Sequence, residues 1–224
     1  MNIGGIVKNS LVDYPGNIAC VVFTVGCNMK CWYCHNKHLL KYSDKVFEQE
    51  VIDFIISRKN FLDGVVVTGG EPTLQPDLKS FIAQIKALGL KVKLDTNGTN
   101  FDILKELIDE KLIDYVAMDI KAPLEKYSQV TKTNDDMISV NNAIDLLLSG
   151  VVDYEFRTTY SPDLNADDIE EICKRIKGAK KYAIQKYRVP EGEKVVMLPR
   201  KPSDHEIAGE IAKKYVQEVV LRGL

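Results

Sequence analysis

ACVVFTVGCNMKCWYCHN, residues 19–36, holds two signals side by side. Its first part, 19–26, is a short apolar run rich in β-branched residues and closed by glycine, the pattern of a buried strand. Its second part sets Cys27, Cys31 and Cys34 within eight residues, directly at the end of that strand. Three thiolates so close together suit the irons of a [4Fe–4S] cluster, which needs soft ligands. A closed electron-transfer cluster takes a fourth cysteine. The other two in this chain, Cys20 and Cys173, fall in an apolar run and on an apolar helix face. One iron is therefore left open to a small-molecule ligand, as befits a site of chemistry.

Working outward, five more runs share the strand pattern: 64–68, 91–96, 115–121, 153–159 and 181–188. Helical patterns lie between them. Leu78, Phe81, Ile82, Ile85 and Leu88 share one face, and Ile169, Ile172, Cys173 and Ile176 share another behind an Asn165 N-cap. Ser203-x-x-Glu206 reads as a capping box opening a last helix through Ile207, Ile211 and Tyr215, with a short strand at 218–222 closing the chain. Six consecutive β/α units imply an α/β fold with a parallel sheet and right-handed crossovers. An open doubly wound sheet and a partial (β/α) barrel both satisfy the pattern, and both place function at the C-terminal ends of the strands. The polar residues collect there. Cys27 follows the first strand and Gly69-Gly70-Glu71 the second. Asp95 and Asn97 end the third, Asp119 and Lys121 the fourth, while Arg157 lies near the end of the fifth and Gln185 within the sixth.

The chain has 224 residues, enough for a single domain (1–224) with a substantial core. A formal charge of −2 argues against a protein that coats nucleic acid. The N-terminus, MNIGGIVKNS, lacks a signal-peptide pattern, and no apolar run approaches the ~20 residues that span a bilayer. A cytoplasmic protein with neither nucleic-acid nor membrane partner is expected, in a reducing compartment that suits exposed thiolates. Two other uses of the cysteines stand beside the cluster. Zinc would need a fourth ligand from His35 or His38, and a disulfide would leave an odd cysteine among five.

Taken together, SLVDYPG (10–16), GCNMKCWYCHN (26–36), GGEPTLQ (69–75), LDTNGT (94–99), AMDIKAP (117–123) and FRTTYSP (156–162) resemble the radical S-adenosylmethionine (SAM) activases of glycyl radical enzymes. The nearest resemblance is to the activating proteins of anaerobic ribonucleoside-triphosphate reductase, related to pyruvate formate-lyase activase. The resemblance implies a partial (β/α)6 barrel whose lateral opening admits a large substrate. It implies one [4Fe–4S] cluster held by Cys27, Cys31 and Cys34, with SAM chelated at the open iron. It further implies reductive SAM cleavage and hydrogen abstraction from a glycine of a partner enzyme, anaerobic ribonucleotide reductase first among the candidates. A low-potential donor such as flavodoxin or ferredoxin would supply the electron. Tyr14 stands where the activase signature usually has glycine.

Within that resemblance Tyr33 and His35 flank the last ligand on the adenine side. Gly69, Gly70 and Glu71 receive the amino group of SAM through backbone carbonyls or the Glu71 carboxylate. Asp95, Asn97, Asp119, Lys121 and Arg157 form the rest of the SAM pocket, with Gln185 on its adenosine side. Asp95 and Asp119 repel one another unless something positive intervenes: Lys121, Arg157 or an oxygen-ligated monovalent cation. Two other readings share parts of this pattern. One is a radical SAM enzyme acting on a small molecule, similar to carboxy-deazaguanine synthases. The other is a non-catalytic iron–sulfur module.

Overall fold

The computed structural model describes residues 1–40, 46–134, 137–189 and 197–223. Eight strands form one sheet: β1 (Ile3–Ser10), β2 (Ala19–Thr24), β3 (Gly64–Gly69), β4 (Lys91–Thr96), β5 (Tyr115–Asp119), β6 (Asp153–Tyr160), β7 (Lys181–Lys186) and β8 (Glu218–Arg222). Their spatial order is their chain order. A doubly wound sheet reverses order at a switch point; strictly sequential order turns the sheet one way, as in a barrel. Every neighbouring pair from β2 to β8 is parallel. The ladders run from β1 to β8 without joining those two among the described residues, so the α/β fold is that of a partial barrel.

Strands β2–β7 are the six units expected from the sequence, and β8 is the closing strand. β1 was not expected. Its antiparallel ladder with β2 (Ile3↔Thr24, Ser10↔Ala19) rests on a run, IGGIVKNS, whose two glycines and polar end mask any strand alternation. The helices α1 (Glu48–Arg58), α2 (Leu78–Ala87), α3 (Phe101–Asp109), α4 (Tyr127–Thr131), α5 (Met137–Leu148), α6 (Ala166–Arg175) and α7 (Pro202–Ala212) occupy the connections. The α6 cap is as expected: Asn165 Oδ1 accepts from the Asp168 amide at 3.0 Å, and Asp168 Oδ2 accepts from the Asn165 amide at 2.8 Å. The α7 cap is not. Pro202 takes the first helical position, where its fixed φ and missing N–H cost nothing. Asp204 then accepts from the Lys201 amide at 3.1 Å, displacing the Ser203–Glu206 box by two residues. Ile207 is exposed, and His205, Ala208 and Ala212 carry the buried face.

Alternation along the strands separates two interiors. Cys20 and Val22, Val65 and Val67, Val92 and Leu94, Val116 and Met118 face the helices and form the main core. The residues that alternate with them, such as Val21, Val66, Lys93 and Ala117, face the concave side of the sheet. At the N-terminal end of the strands that lumen is closed by Tyr14, 3 % exposed, packed with Ala19, Val21 and Val66 and 5.9 Å from the Tyr115 ring. Gly64 makes room for it, since a Cβ there would stand 3.0 Å from Tyr14 Cε1 and 2.7 Å from the Lys91 carbonyl. Tyr14 thus acts as a plug, and its size is what the position uses. Replacing it by alanine should lower unfolding free energy by about 3 kcal/mol. A urea midpoint within error of wild type would show that the plug contributes nothing.

Candidate active site

The loop after β2 carries the three thiols. It is held by backbone bonds from outside itself: Gly26 N–H to the Leu39 carbonyl (2.8 Å) and Lys30 N–H to the Thr131 carbonyl at the end of α4 (2.8 Å). The glycine turn after β3 lies directly upon its start. Gly70 N–H reaches the Thr24 carbonyl at 2.9 Å and Glu71 N–H the Gly26 carbonyl at 2.8 Å. A Cβ on Gly70 would fall 1.9 Å from the Gly26 carbonyl oxygen, and Gly69 has φ +114. Only glycine allows this approach.

Glu71 is 1 % exposed, and four protein donors serve its carboxylate. Oε1 accepts from the Thr73 amide (3.1 Å), Thr73 Oγ1 (2.6 Å) and Thr96 Oγ1 (2.8 Å), and Oε2 from the Asn97 amide (2.7 Å). Burial raises its pKa and these bonds only partly offset the rise. The carboxylate is therefore a tie between the ends of β3 and β4. Asn97 extends the tie, donating from Nδ2 to Asn28 Oδ1 at 2.9 Å and accepting at Oδ1 from Thr99.

Across the strand ends runs a chain of alternating charges. Lys93 Nζ lies 2.6 Å from Asp95 Oδ1, and Arg157 Nη1 lies 2.9 Å from Asp95 Oδ2. Arg157 Nε is 2.9 Å from Asp119 Oδ1, and Lys121 Nζ is 3.0 Å from Asp119 Oδ2. Asp119 and Arg157 are register partners on adjacent strands, which is why they meet. Arg157 occupies the place between Asp95 and Asp119, so the chain itself supplies a positive charge there. Burial raises the pKa of both carboxylates, but Arg157 with Lys93 holds Asp95 below the ordinary range, and Arg157 with Lys121 brings Asp119 down to about 2. Lys93, a residue that period-two reading could have assigned to the lumen beside Asp95, did not stand out in the sequence.

All the residues assigned to the cluster and the SAM pocket from the sequence border one cavity of about 310 Å³ at the C-terminal ends of the strands. Cys27, Cys31, Tyr33, Cys34 and His35 line one side, Gly69, Gly70 and Glu71 another. Asp95, Asn97, Asp119, Lys121, Arg157 and Gln185 complete it, joined by Asp13, Asn36, Thr68 and Thr159. His38 is not among them. The Tyr33 hydroxyl is buried and has no hydrogen-bond partner among the described residues, its ring edge-on to Trp32 at 5.6 Å. Trp32 itself donates to Asp163 and packs on Tyr187. Burial and the Arg188 guanidinium hold His35 below 6.5.

The donor set distinguishes among metals. Among the described residues no three His, Cys, Asp or Glu side chains converge on one metal ion, as tetrahedral zinc demands. In an iron–sulfur cluster each thiolate takes its own iron, so sulfurs spread around a cavity wall fit it. Burial pushes the Cys27 thiol up to about 11 and raises Cys31 as well, with Lys121 opposing both shifts. Such thiols ionise when a metal takes up their charge.

The charge chain carries a pH signature. The folded pKa of Asp119 lies below its ordinary 3.8, so its stabilisation is complete above that value and is lost as pH falls through about 2. In metal-free protein, Asp119→Asn should be less stable than wild type at neutral pH, and the gap should narrow between pH 4 and 2. Parallel acid-unfolding profiles would contradict this.

Comparison with known proteins agrees with the geometry. Residues 21–176 match the model of the Radical SAM superfamily. A protein of Methanocaldococcus jannaschii, provisionally named a glycyl-radical enzyme activating enzyme, is 42% identical over 234 residues, covering 98% of this chain and 95% of its own. The pyruvate formate-lyase-activating enzyme of Listeria monocytogenes is 36% identical over 141 residues, 57% of this chain and 56% of its own. Among solved structures, Streptococcus suis SuiB bound to S-adenosylmethionine superposes with a TM-score of 0.70 at 14% identity, over 88% of this chain and 48% of that one. The native anSMEcpe structure with bound AdoMet gives 0.65 at 21% identity, over 88% and 61%. The chain spans about half to three-fifths of these two structures, and the likeness is one of fold. No helix among the described residues is long and apolar enough to cross a membrane. The family uses a [4Fe–4S] cluster and SAM, and the chain belongs to the Radical SAM superfamily and, within it, to the glycyl-radical enzyme activating enzymes.

Proposed function

We propose that this chain, as one cytoplasmic radical SAM domain over 1–224, activates an anaerobic ribonucleotide reductase by generating its glycyl radical. The observation that carries the reading is the meeting of three thiols, a glycine turn and a balanced charge chain around one cavity, at the strand ends of a sheet whose edges do not join among the described residues. Such an opening admits an extended loop from a large partner, where a closed eight-unit barrel would present only its mouth. The choice of reductase within the class rests on the resemblance of SLVDYPG and GCNMKCWYCHN.

Cys27, Cys31 and Cys34 would hold the cluster. When bound, the cluster supplies the electron, received from a low-potential flavodoxin or ferredoxin, that cleaves SAM and so starts hydrogen abstraction from the partner's glycine. The chain's residues bind and orient. Backbone carbonyls of Gly69 and Gly70 would accept from the SAM ammonium, with Glu71 and Asn97 keeping the turn in place. Lys121 and Arg157 would face the SAM carboxylate, each oriented by Asp119, while Asp95 holds the far side of Arg157. Tyr33, His35 and Gln185 would border the adenosine. No side chain need donate or accept a proton, since binding and exclusion of water are what the protein contributes.

Iron and sulfide content of five single Cys→Ala variants tests the ligand set. Loss is expected for Cys27, Cys31 and Cys34, and retention for Cys20 and Cys173, both fully buried in the apolar core. A full, reducible cluster in Cys31→Ala would refute the assignment. The substrate is tested by anaerobic incubation with reductant, SAM and an anaerobic ribonucleotide reductase, followed by electron paramagnetic resonance. A glycyl radical that vanishes when the reductase glycine is alanine is the expected result. SAM cleavage stimulated by a deazapurine precursor, and by no protein, would favour the small-molecule reading instead.

A further inference from the structure

Lys93 is 2 % exposed, an unusual place for a lysine. It sits mid-strand in β4, opposite Val66 on β3 and Tyr115 on β5, on the concave face of the sheet. Its ammonium lies 2.6 Å from Asp95 Oδ1, two residues along the same strand and on the same face. The groups facing Asp95 are Lys93 from its own strand, Thr68 Oγ1 from β3 at 3.2 Å and Arg157 from β6 at 2.9 Å, with Asp119 as the nearby like charge.

The two carboxylates share Arg157 symmetrically, which leaves each with one further oxygen. On Asp119 that oxygen takes Lys121; on Asp95 it takes Lys93. Remove Lys93, and Asp95 Oδ1 faces a buried lumen with no ammonium against it. A buried carboxylate in that state either protonates or recruits a cation from solution. Protonation would loosen the Asp95–Arg157 bond and let the guanidinium swing toward Asp119 alone, whereas a recruited cation would take the place of the ammonium and keep the bond.

We propose that Lys93 is a tethered cation and a positioning residue: its ammonium does for Asp95 what a bound monovalent ion would otherwise do, and so keeps Arg157 between the two carboxylates whatever salt is present. This deepens the proposed SAM pocket and rests on that reading for its link to SAM, though not for the ionic role itself. The chain thereby acquires salt-indifferent assembly of a site that, judged by its two carboxylates alone, would call for an ion. The lysine stem also fills volume deep in the lumen, which is why an apolar substitute is a needed control.

The test compares wild type, Lys93→Ala, which leaves space, and Lys93→Met, which fills it. Thermal unfolding is followed at constant ionic strength in tetramethylammonium, sodium, potassium, ammonium or methylammonium chloride. Wild type should be indifferent to the cation. Lys93→Ala should unfold about 10 °C lower in tetramethylammonium and regain most of that loss in at least one smaller cation. Lys93→Met should be lowered in every salt and recover in none. SAM affinity of the reconstituted proteins, measured by anaerobic equilibrium dialysis, should follow the same pattern, with an about 10-fold weaker Kd where no cation replaces the ammonium. Cation-dependent stability in wild type, Lys93→Ala as stable as wild type in tetramethylammonium, or Lys93→Met as stable as wild type would each overturn the proposal. The thermal series involves no SAM, so its failure is distinct from that of the pocket assignment, which would show as wild-type protein that binds no SAM.

Discussion

A charge withdrawn from water has to be paired, and the concave face of this sheet withdraws many. Lys93, Asp95, Arg157, Asp119 and Lys121 alternate in sign across three strands, so that each carboxylate meets two cations and Arg157 meets two anions. Deeper in the lumen Glu155, 1 % exposed, takes both terminal nitrogens of Arg222 on β8. Burying any of these alone would cost several kcal/mol. Paired, they fix where β4, β5, β6 and β8 stand relative to one another. The site inherits its geometry from that requirement. Arg157 is aimed by two acids, and Lys121 is tied to Asp119 on the side where its charge also acts on the thiols of Cys27 and Cys31.

The apolar half of the fold is conventional, with β-branched strand residues packed on amphipathic helices. What is particular is the way one strand serves both halves. Val92 and Leu94 of β4 belong to the main core, and Lys93 and Asp95 between them belong to the lumen. A slip of one residue in register would exchange the two sets, putting two ions into the apolar core. The same alternation therefore specifies the fold and presents the chemistry. Tyr14 sets the lower limit of the lumen and the Cys27–Cys34 loop its upper rim.

Glu71 links three parts of the site. Its four donors come from the turn after β3 and the end of β4, while its amide reaches the start of the thiol loop. A carboxylate so placed makes the GGE turn rigid, leaving the carbonyls of that turn to meet a ligand. In the proposed site such a tie would have a purpose, since SAM held at one iron and along several strand ends would need all of them in register before it arrives.

Much of this was legible in the residues themselves. Short β-branched runs alternating with helical faces defined the six units and their parallel order, because periodicity is local. The three-cysteine loop and GGEP stood out because soft ligands and glycine pairs carry chemical meaning at short spacing. Strand-end placement then assembled the pocket, since parallel strands end on one side. Other features needed the tertiary structure. β1 lacks alternation and exists through its pairing with β2. That Thr73, Thr96 and Asn97 gather around the Glu71 carboxylate shows only in the fold. Tyr14 is a departure from a signature until Gly64 and Tyr115 show the space it fills. The balance between Asp95 and Asp119 could have been met by Lys121, Arg157 or an ion, and a linear chain cannot choose among them. Only the register of β5 with β6, and the side of β4 on which Lys93 lies, decides that the chain supplies its own cations.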